Sequence, residues 1–443
     1  MSISPITPRA RTRTSPPPRS NLSRPPRLLL LLPTATYRTA AFLDAARRLG
    51  VELAVASERP STFQQANPRG LVTLDLADPV RAADQAAAFA ATHPLAGVVG
   101  VDDDTAVVAA AIATRLGLRG NPVAAAQAAR DKHEQRTILA AAGVPVPRFA
   151  LYRVDEDPEL LAGRVRYPCV LKPLRLAASR GVIRADGEPA FAAAFERLRR
   201  ILAEPDAAAC GEPARRILVE EFVPGPETAL EGVLVDGRLE VLALFDKPDP
   251  LDGPYFEETI YLTPSRLPAA TQRAIADCAA RAAAALGLRE GPVHAELRTN
   301  ERGPWLIELA ARPIGGRCSG ALRFQSVGAR AGRAVVSLEE VVIGHALGLT
   351  LPALEREPQA AGVMMIPVPG AGVLREVRGI AAARAVPLVE DVTIMAYPGE
   401  ALRPWPEGAR YPGFIFARGE TPEAVDGALR DAHRQLEFVV DAG

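Results

Sequence analysis

The sequence predicts two architectures in one chain: an α/β region on a parallel sheet, then α+β regions with antiparallel strands. Three observations carry this. Up to about residue 125, short apolar strands alternate one by one with alanine-rich helical stretches. Beyond it, strands follow one another directly, and Asp236-Gly237 gives a strong hairpin-turn signal. The length of 443 residues, 48% of them hydrophobic, leaves room for two or three domains with real cores.

The first 26 residues, "MSISPITPRARTRTSPPPRSNLSRPP", hold no acid and are rich in Pro, Ser, Thr and Arg, the composition of a disordered tail. From Arg27, "LLLLLP" reads as a strand, "RTAAFLDAARRLG" as a helix stopped by Gly50, and "VELAVAS" as a second strand. "LVTLDL", the helix "PVRAADQAAAFAATH", the strand "LAGVVGV" and a helix from "DDDTAVVAAAIATRLG" complete the pattern. Such alternation implies right-handed βαβ units. The first turn, "LLPTATY", lacks G-x-G-x-x-G, so this sheet is a weak candidate for binding NAD.

The next region opens with a helix from about Asp131 to Ala142, stopped by Gly143 and followed by Pro145 and Pro147. "YPCVLKP", "RRILVEEFV", "ETALEGVLVDGRLEVLALF" and "GPVHAELRTNERGPWLIELAA" supply strands, with the helix "ATQRAIADCAARAAAALG" among them. "ARPIGGRCSG" reads as a glycine turn into a helix over "SGALRFQ", whose backbone N–H groups would suit an anion. From "AGVMMIPVPGAGVL" onward, short strands and turns lead to a final amphipathic helix opened by Thr421.

Basic and acidic residues balance at 52 each, so no net field holds the chain on nucleic acid or a membrane. The four cysteines stand at least forty residues apart, without a CxxC pair, and "RLLLLL" is too short for a membrane span. A reduced, cytoplasmic setting is expected.

Of the 52 basic residues only Lys132, Lys172 and Lys247 are lysines. A chain that uses arginine everywhere else retains lysine where a compact point charge must fit among crowded oxygens, and nucleotide phosphates are such a crowd. Lys172 ends an apolar strand before a Ser-Arg-Gly loop, and Lys132 opens a helix, where the dipole favours anions. None lies in a P-loop motif.

The hairpin "HAELRTNERGPWLIELAAR" makes Glu296 and Glu308 cross-strand neighbours on one face, with Arg312 four residues beyond. Paired carboxylates beside basic groups suit Mg²⁺, which takes one or two carboxylates plus phosphate oxygens. A surface hairpin with solvated acids would look similar, but Glu308 sits inside "WLIELAA" and a buried carboxylate needs a partner.

Taken together, these motifs resemble the ATP-grasp enzymes, in the carboxylate–amine ligase branch that includes the L-amino acid ligases. The resemblance runs from Arg27 to the C-terminus. It implies a Rossmann-like domain over residues 27–125, a two-lobed ATP-grasp domain over 126–350 and a small α+β C-terminal domain over 351–443. By this likeness Lys132 and Lys172 contact ATP phosphates, and the loop Ala177–Val182, with Ser179, Arg180 and Gly181, covers them. Glu220, Glu221, Val223 and Glu227 match the adenine and ribose contacts. Glu296 and Glu308 match the acids that hold Mg²⁺, or Mn²⁺ in its place, and Arg312 and Lys247 match catalytic positions. Glu257 and Glu258 would meet a substrate amino group, and His294 is either a substrate contact or a structural residue. The family's asparagine two residues after the second acid is here Ala310.

The implied activity is ATP-dependent formation of an amide or peptide bond through an acyl phosphate, with release of ADP and phosphate. The expected partners are a small carboxylate and an amine, amino acids first, and the expected assembly a homodimer. Carboxylase or purine-pathway chemistry on the same fold, or a catalytically silent nucleotide binder, are the alternatives.

Overall fold

A computed structural model of the chain describes residues 25–33, 36, 38–326, 335–349 and 353–441. Apart from Pro25 and Pro26, the expected tail lies outside these residues.

The leucine run Arg27–Leu31 is an inner strand of a four-stranded parallel sheet, ordered Leu71–Thr73, Glu52–Ser57, Arg27–Leu31, Gly97–Gly100. Leu28 to Leu31 have no exposed surface, because both faces are covered. Leu29 and Leu31 join the core with helices Pro79–Thr92 and Asp103–Leu116. Leu28 and Leu30 pack with helices Thr39–Leu49 and Leu338–Ala346. A strand buried on two sides needs an unbroken apolar run, and each leucine contributes about 1.5–3 kcal/mol.

A second, antiparallel sheet is ordered Phe149–Arg153, Arg216–Glu221, Cys169–Pro173, Ile183–Ala185. Helix Glu188–Leu202 covers it through Phe191, Phe195 and Leu198, all fully buried. The third sheet has eight strands, running Gly303–Ala310, Gly291–Asn300, Glu227–Val235, Arg238–Asp246, Ile260–Thr263, Ala360–Met365, Gly413–Gly419, Val389–Ile394. It therefore continues across residue 350: Ile260–Thr263 pairs with Ala360–Met365 in full register. Residue 125 likewise falls inside a helix, Val123–Arg130. The Asp236-Gly237 turn has φ of 52° and 84°, the left-handed pair that a two-residue hairpin requires.

The expected helix over "SGALRFQ" does not form. Cys318–Ala321 makes a single 3₁₀ turn and Phe324–Ser326 is a strand. Packing overrides the local pattern here: an added Cβ at Gly320 would meet the Phe416 ring at 2.9 Å, and Phe324 is 1% exposed. Nor is the preceding backbone free for an anion, since the Ile314 N–H donates to the Glu231 carboxylate at 3.1 and 3.2 Å.

Candidate active site

All three lysines are buried, with 7, 8 and 7% exposure for Lys132, Lys172 and Lys247. Lys132 and Lys172 line one cavity of about 300 Å³ between the two antiparallel sheets and the C-terminal edge of the parallel one, and Lys247 is paired to three glutamates of its wall. Lys132 opens helix Lys132–Ala141, which Asp131 caps by accepting from the His133 and Glu134 N–H groups. Its Nζ donates to the Leu176 carbonyl at 3.2 Å and lies 3.2 Å from Glu308 Oε1.

Lys172 points from the strand Cys169–Pro173 to Glu220 Oε2 at 2.7 Å. One turn after Lys132 on the same helix, the fully buried Arg136 holds Glu220 Oε1 at 2.5 Å and also donates to the Ile307 carbonyl. Burial would raise the Glu220 pKa; Arg136 and Lys172 outweigh it and hold the carboxyl below its usual range. Glu220 thus anchors the lysine as well as lining the cavity.

Lys247 takes a different position. Its ammonium sits behind the cavity wall, 2.6 Å from Glu227 Oε1, 2.6 Å from Glu258 Oε1 and 2.8 Å from Glu296 Oε1. These three carboxylates line the cavity and gather within 4.8 Å of one another. Arg298 Nε supports Glu227 from the other side at 2.9 Å. Burial pushes the Glu258 carboxyl up to about 7; Lys247 opposes this and the Glu296 charge adds to it. Glu296 goes the other way, held well below its usual range because Lys247 and His294 outweigh burial.

Glu296 and Glu308 are directly paired across the hairpin, as their spacing predicts. Both line the cavity, and both lysine contacts use only Oε1 of the respective carboxylate. An all-oxygen, two-carboxylate donor set facing a solvent-sized cavity fits Mg²⁺. Ala310 is buried at 1% and offers no further oxygen.

His294 lies between two acids, Nδ1 3.4 Å from Glu231 and Nε2 3.6 Å from Glu296. Burial alone would lower its pKa, but Glu231 and Glu296 raise it to about 9. Arg312 donates from Nε to Asp103 Oδ2 at 2.9 Å, bringing the parallel-sheet domain into the site. Glu257 accepts the Val368 N–H at 2.9 Å.

The covering loop splits. Ser179 lines the cavity, whereas Arg180 turns away to Asp206 at 2.5 Å and Glu204 at 2.8 Å. Those acids follow the end of helix Glu188–Leu202, and Asp206 takes Arg180 through both carboxylate oxygens. Gly181 is spent on packing: its N–H donates to the Pro406 carbonyl at 2.8 Å. Glu221, Val223 and Glu227 line the cavity as expected.

Sequence reading missed Asp103, Arg38, Arg136 and Glu231. Asp103 stands in the run "DDD" just past the strand Gly97–Gly100, the crevice at strand carboxyl ends where α/β sheets bind ligands. Arg136 follows Lys132 at i+4, on the same helix face. Arg38 holds the Ile314 carbonyl at 2.6 Å across 276 residues, a contact no local pattern announces.

Comparison with known proteins gives matches in the same order along the chain. An ATP-grasp N-terminal domain matches residues 43–120, an ATP-grasp domain residues 165–321, and an L-amino acid ligase C-terminal domain 2 residues 364–441. Alanine–anticapsin ligase of Bacillus subtilis (strain 168) is 32% identical over 214 residues, 45% of this chain and 45% of that protein. D-alanine–D-alanine ligase of Aromatoleum aromaticum is 30% identical over 203 residues, 45% of this chain and 61% of that protein. The matched part is thus less than half the length of the alanine–anticapsin ligase. Among solved structures, an L-amino acid ligase from Bacillus licheniformis has the same fold, with a TM-score of 0.76 at 24% identity, covering 95% of this chain and all of that one. Phosphoribosylglycinamide synthetase from Anaerococcus prevotii shares it with a TM-score of 0.64 at 16% identity, over 94% of this chain and all of that one.

Proposed function

Because the chain belongs to the ATP-grasp superfamily, in the branch that includes the L-amino acid ligases, we propose that it is an ADP-forming carboxylate–amine ligase acting on amino acids. The carrying observation is that Lys132 and Lys172 line one cavity with Glu220, Glu227, Glu258, Glu296 and Glu308, while Lys247 holds three of these glutamates from behind the wall.

In this reading Lys132 and Lys172 meet the ATP phosphates, Ser179 covers them, and Glu220, Glu221, Val223 and Glu227 contact the adenosine. Glu296 and Glu308 would hold magnesium, which when bound would supply charge neutralisation at the phosphates. A substrate carboxylate oxygen attacks the γ-phosphorus, the bond to ADP breaks, and an acyl phosphate results. The amine then attacks the acyl carbon, and inorganic phosphate leaves with the C–O electron pair. Arg312, fixed by Asp103, neutralises charge on the transferring group, and Lys247 holds the glutamate cluster in place. Glu258, with burial holding its carboxyl near neutrality, receives the proton the incoming ammonium must lose. Catalysis rests on positioning and electrostatics, with no covalent protein intermediate.

The test is ADP release across pairs of amino acids, with mass detection of the products. ADP formed only when both partners are present, with a product one water lighter than their sum, supports the reading. ADP release driven by bicarbonate in place of a second amino acid contradicts it.

A further inference from the structure

The loop over the cavity mouth is held in a conformation it would not choose alone. Ala178 and Ser179 both have φ of 54°, and neither is glycine. Left-handed backbone at two successive L-residues persists only where surrounding structure enforces it. The enforcing contacts come from one short segment more than 220 residues away. Trp405 Nε1 donates to the Ala178 carbonyl at 2.7 Å, across 227 residues of sequence. The Pro406 carbonyl accepts from the Gly181 N–H at 2.8 Å.

The same segment is clamped to helix Glu188–Leu202 and the residues just after it on either side of these bonds. Glu407 takes Arg197 through two bonds, at 2.6 and 2.8 Å. Arg403 donates to both oxygens of Glu204, at 2.9 and 2.6 Å, and Glu204 also holds Arg180 of the loop itself. Trp405 is 4% exposed, and its ring lies 4.8 Å from that of Tyr411, which lines the cavity. One stretch of the C-terminal region therefore touches the loop on one side and the cavity wall on the other.

We propose that Trp405 is a positioning residue for the nucleotide: with Pro406 it latches the loop Ala177–Val182 over the phosphates, so that the C-terminal region forms part of the ATP lid. The proposal rests on the reading of this loop as the phosphate cover. The physical consequence is specific. The latch fixes Ser179 at the cavity and steadies the Leu176 carbonyl, one residue before the loop, on Lys132. A loop released from it admits water to the acyl phosphate, so ATP is consumed without amide being formed.

The variant Trp405→Phe keeps an aromatic ring on Tyr411 and deletes the indole N–H. Three readouts are taken: deuterium exchange of the 174–182 backbone without nucleotide, KM for ATP against KM for the amino acids, and phosphate released per amide formed. The expected result is faster exchange confined to the loop, a KM for ATP raised roughly three- to tenfold, as loss of one buried hydrogen bond gives, unchanged KM for the amino acids, and a phosphate-to-amide ratio above one. Glu407→Ala, a half-exposed position whose loss leaves the core intact, serves as the second variant and should move the same readouts in the same direction. Loop exchange unchanged in both variants overturns the latch. Exchange raised with KM for ATP and the ratio unchanged also overturns the positioning role, and it counts against the loop as the phosphate cover. Exchange raised throughout the four-stranded antiparallel sheet and helix Glu188–Leu202 assigns Trp405 to general packing and overturns the proposal.

Discussion

Lys172 and Arg136 grip the same carboxylate from opposite sides, Lys172 on Glu220 Oε2 at 2.7 Å and Arg136 on Oε1 at 2.5 Å. One side of Glu220 is thus already filled by a guanidinium, and the other by an ammonium in a slot that is 8% exposed. The presence of lysine rather than arginine at position 172 has its physical reason here.

Lys172→Arg should accordingly be nearly as damaging to ATP turnover as Lys172→Ala. A planar fork cannot enter the slot without displacing Arg136 or turning from the cavity, and a misplaced phosphate contact costs on the order of 100-fold. Steady-state ADP release by the two variants provides the check. Retention of most of the turnover by the arginine variant would contradict the role given to the lysine.

Lys247→Met should destabilise the fold by about 3–5 kcal/mol at pH 8, since it leaves Glu227, Glu258 and Glu296 facing one another without their shared cation. The loss should shrink at pH 6, because Glu258, already pushed up to about 7 with lysine present, then takes a proton. Denaturant unfolding at the two pH values measures this, and an equal deficit at both would argue against the electrostatic origin.

His294 gives a stability signal of fixed sign. Its folded pKa of about 9 stands above the ordinary 6.5, so the protonated ring stabilises the fold most fully below pH 6.5. That contribution is lost as pH rises through 9. The wild-type melting temperature should fall over this window more steeply than that of His294→Gln, whose side chain has no charge to lose. Parallel melting curves for the two proteins would remove the Glu231–His294–Glu296 charge pattern from the account.

Much of this site was legible in the sequence, and the reason differs from residue to residue. The three lysines stood out against a background of arginine, and Glu296 and Glu308 followed from a tight hairpin whose two-residue periodicity fixes which side chains share a face. The parallel sheet announced itself through its buried leucine run. What stayed hidden depends on long-range packing. Arg180 carries the expected spacing but finds Glu204 and Asp206 beyond the next helix, and no local rule distinguishes those acids from the cavity as its partner. The helix expected at "SGALRFQ" yields to the Phe416 ring, a residue almost a hundred positions away. Lys247 matches a catalytic position by likeness to the family, whereas its ammonium is enclosed by three carboxylates contributed by separate segments.

The most direct test of the proposed chemistry is the fate of ¹⁸O placed in the substrate carboxylate. Attack on the γ-phosphorus moves one labelled oxygen into the released phosphate and leaves the nucleotide product, ADP, unlabelled. The positive charge of Lys132, Lys172 and Arg312 is gathered around a single cavity with Glu296 and Glu308, which supports transfer of the terminal phosphoryl group. The account predicts label in inorganic phosphate, in one-to-one ratio with amide formed. Label in AMP, with release of pyrophosphate, would show attack at the α-phosphorus and contradict it.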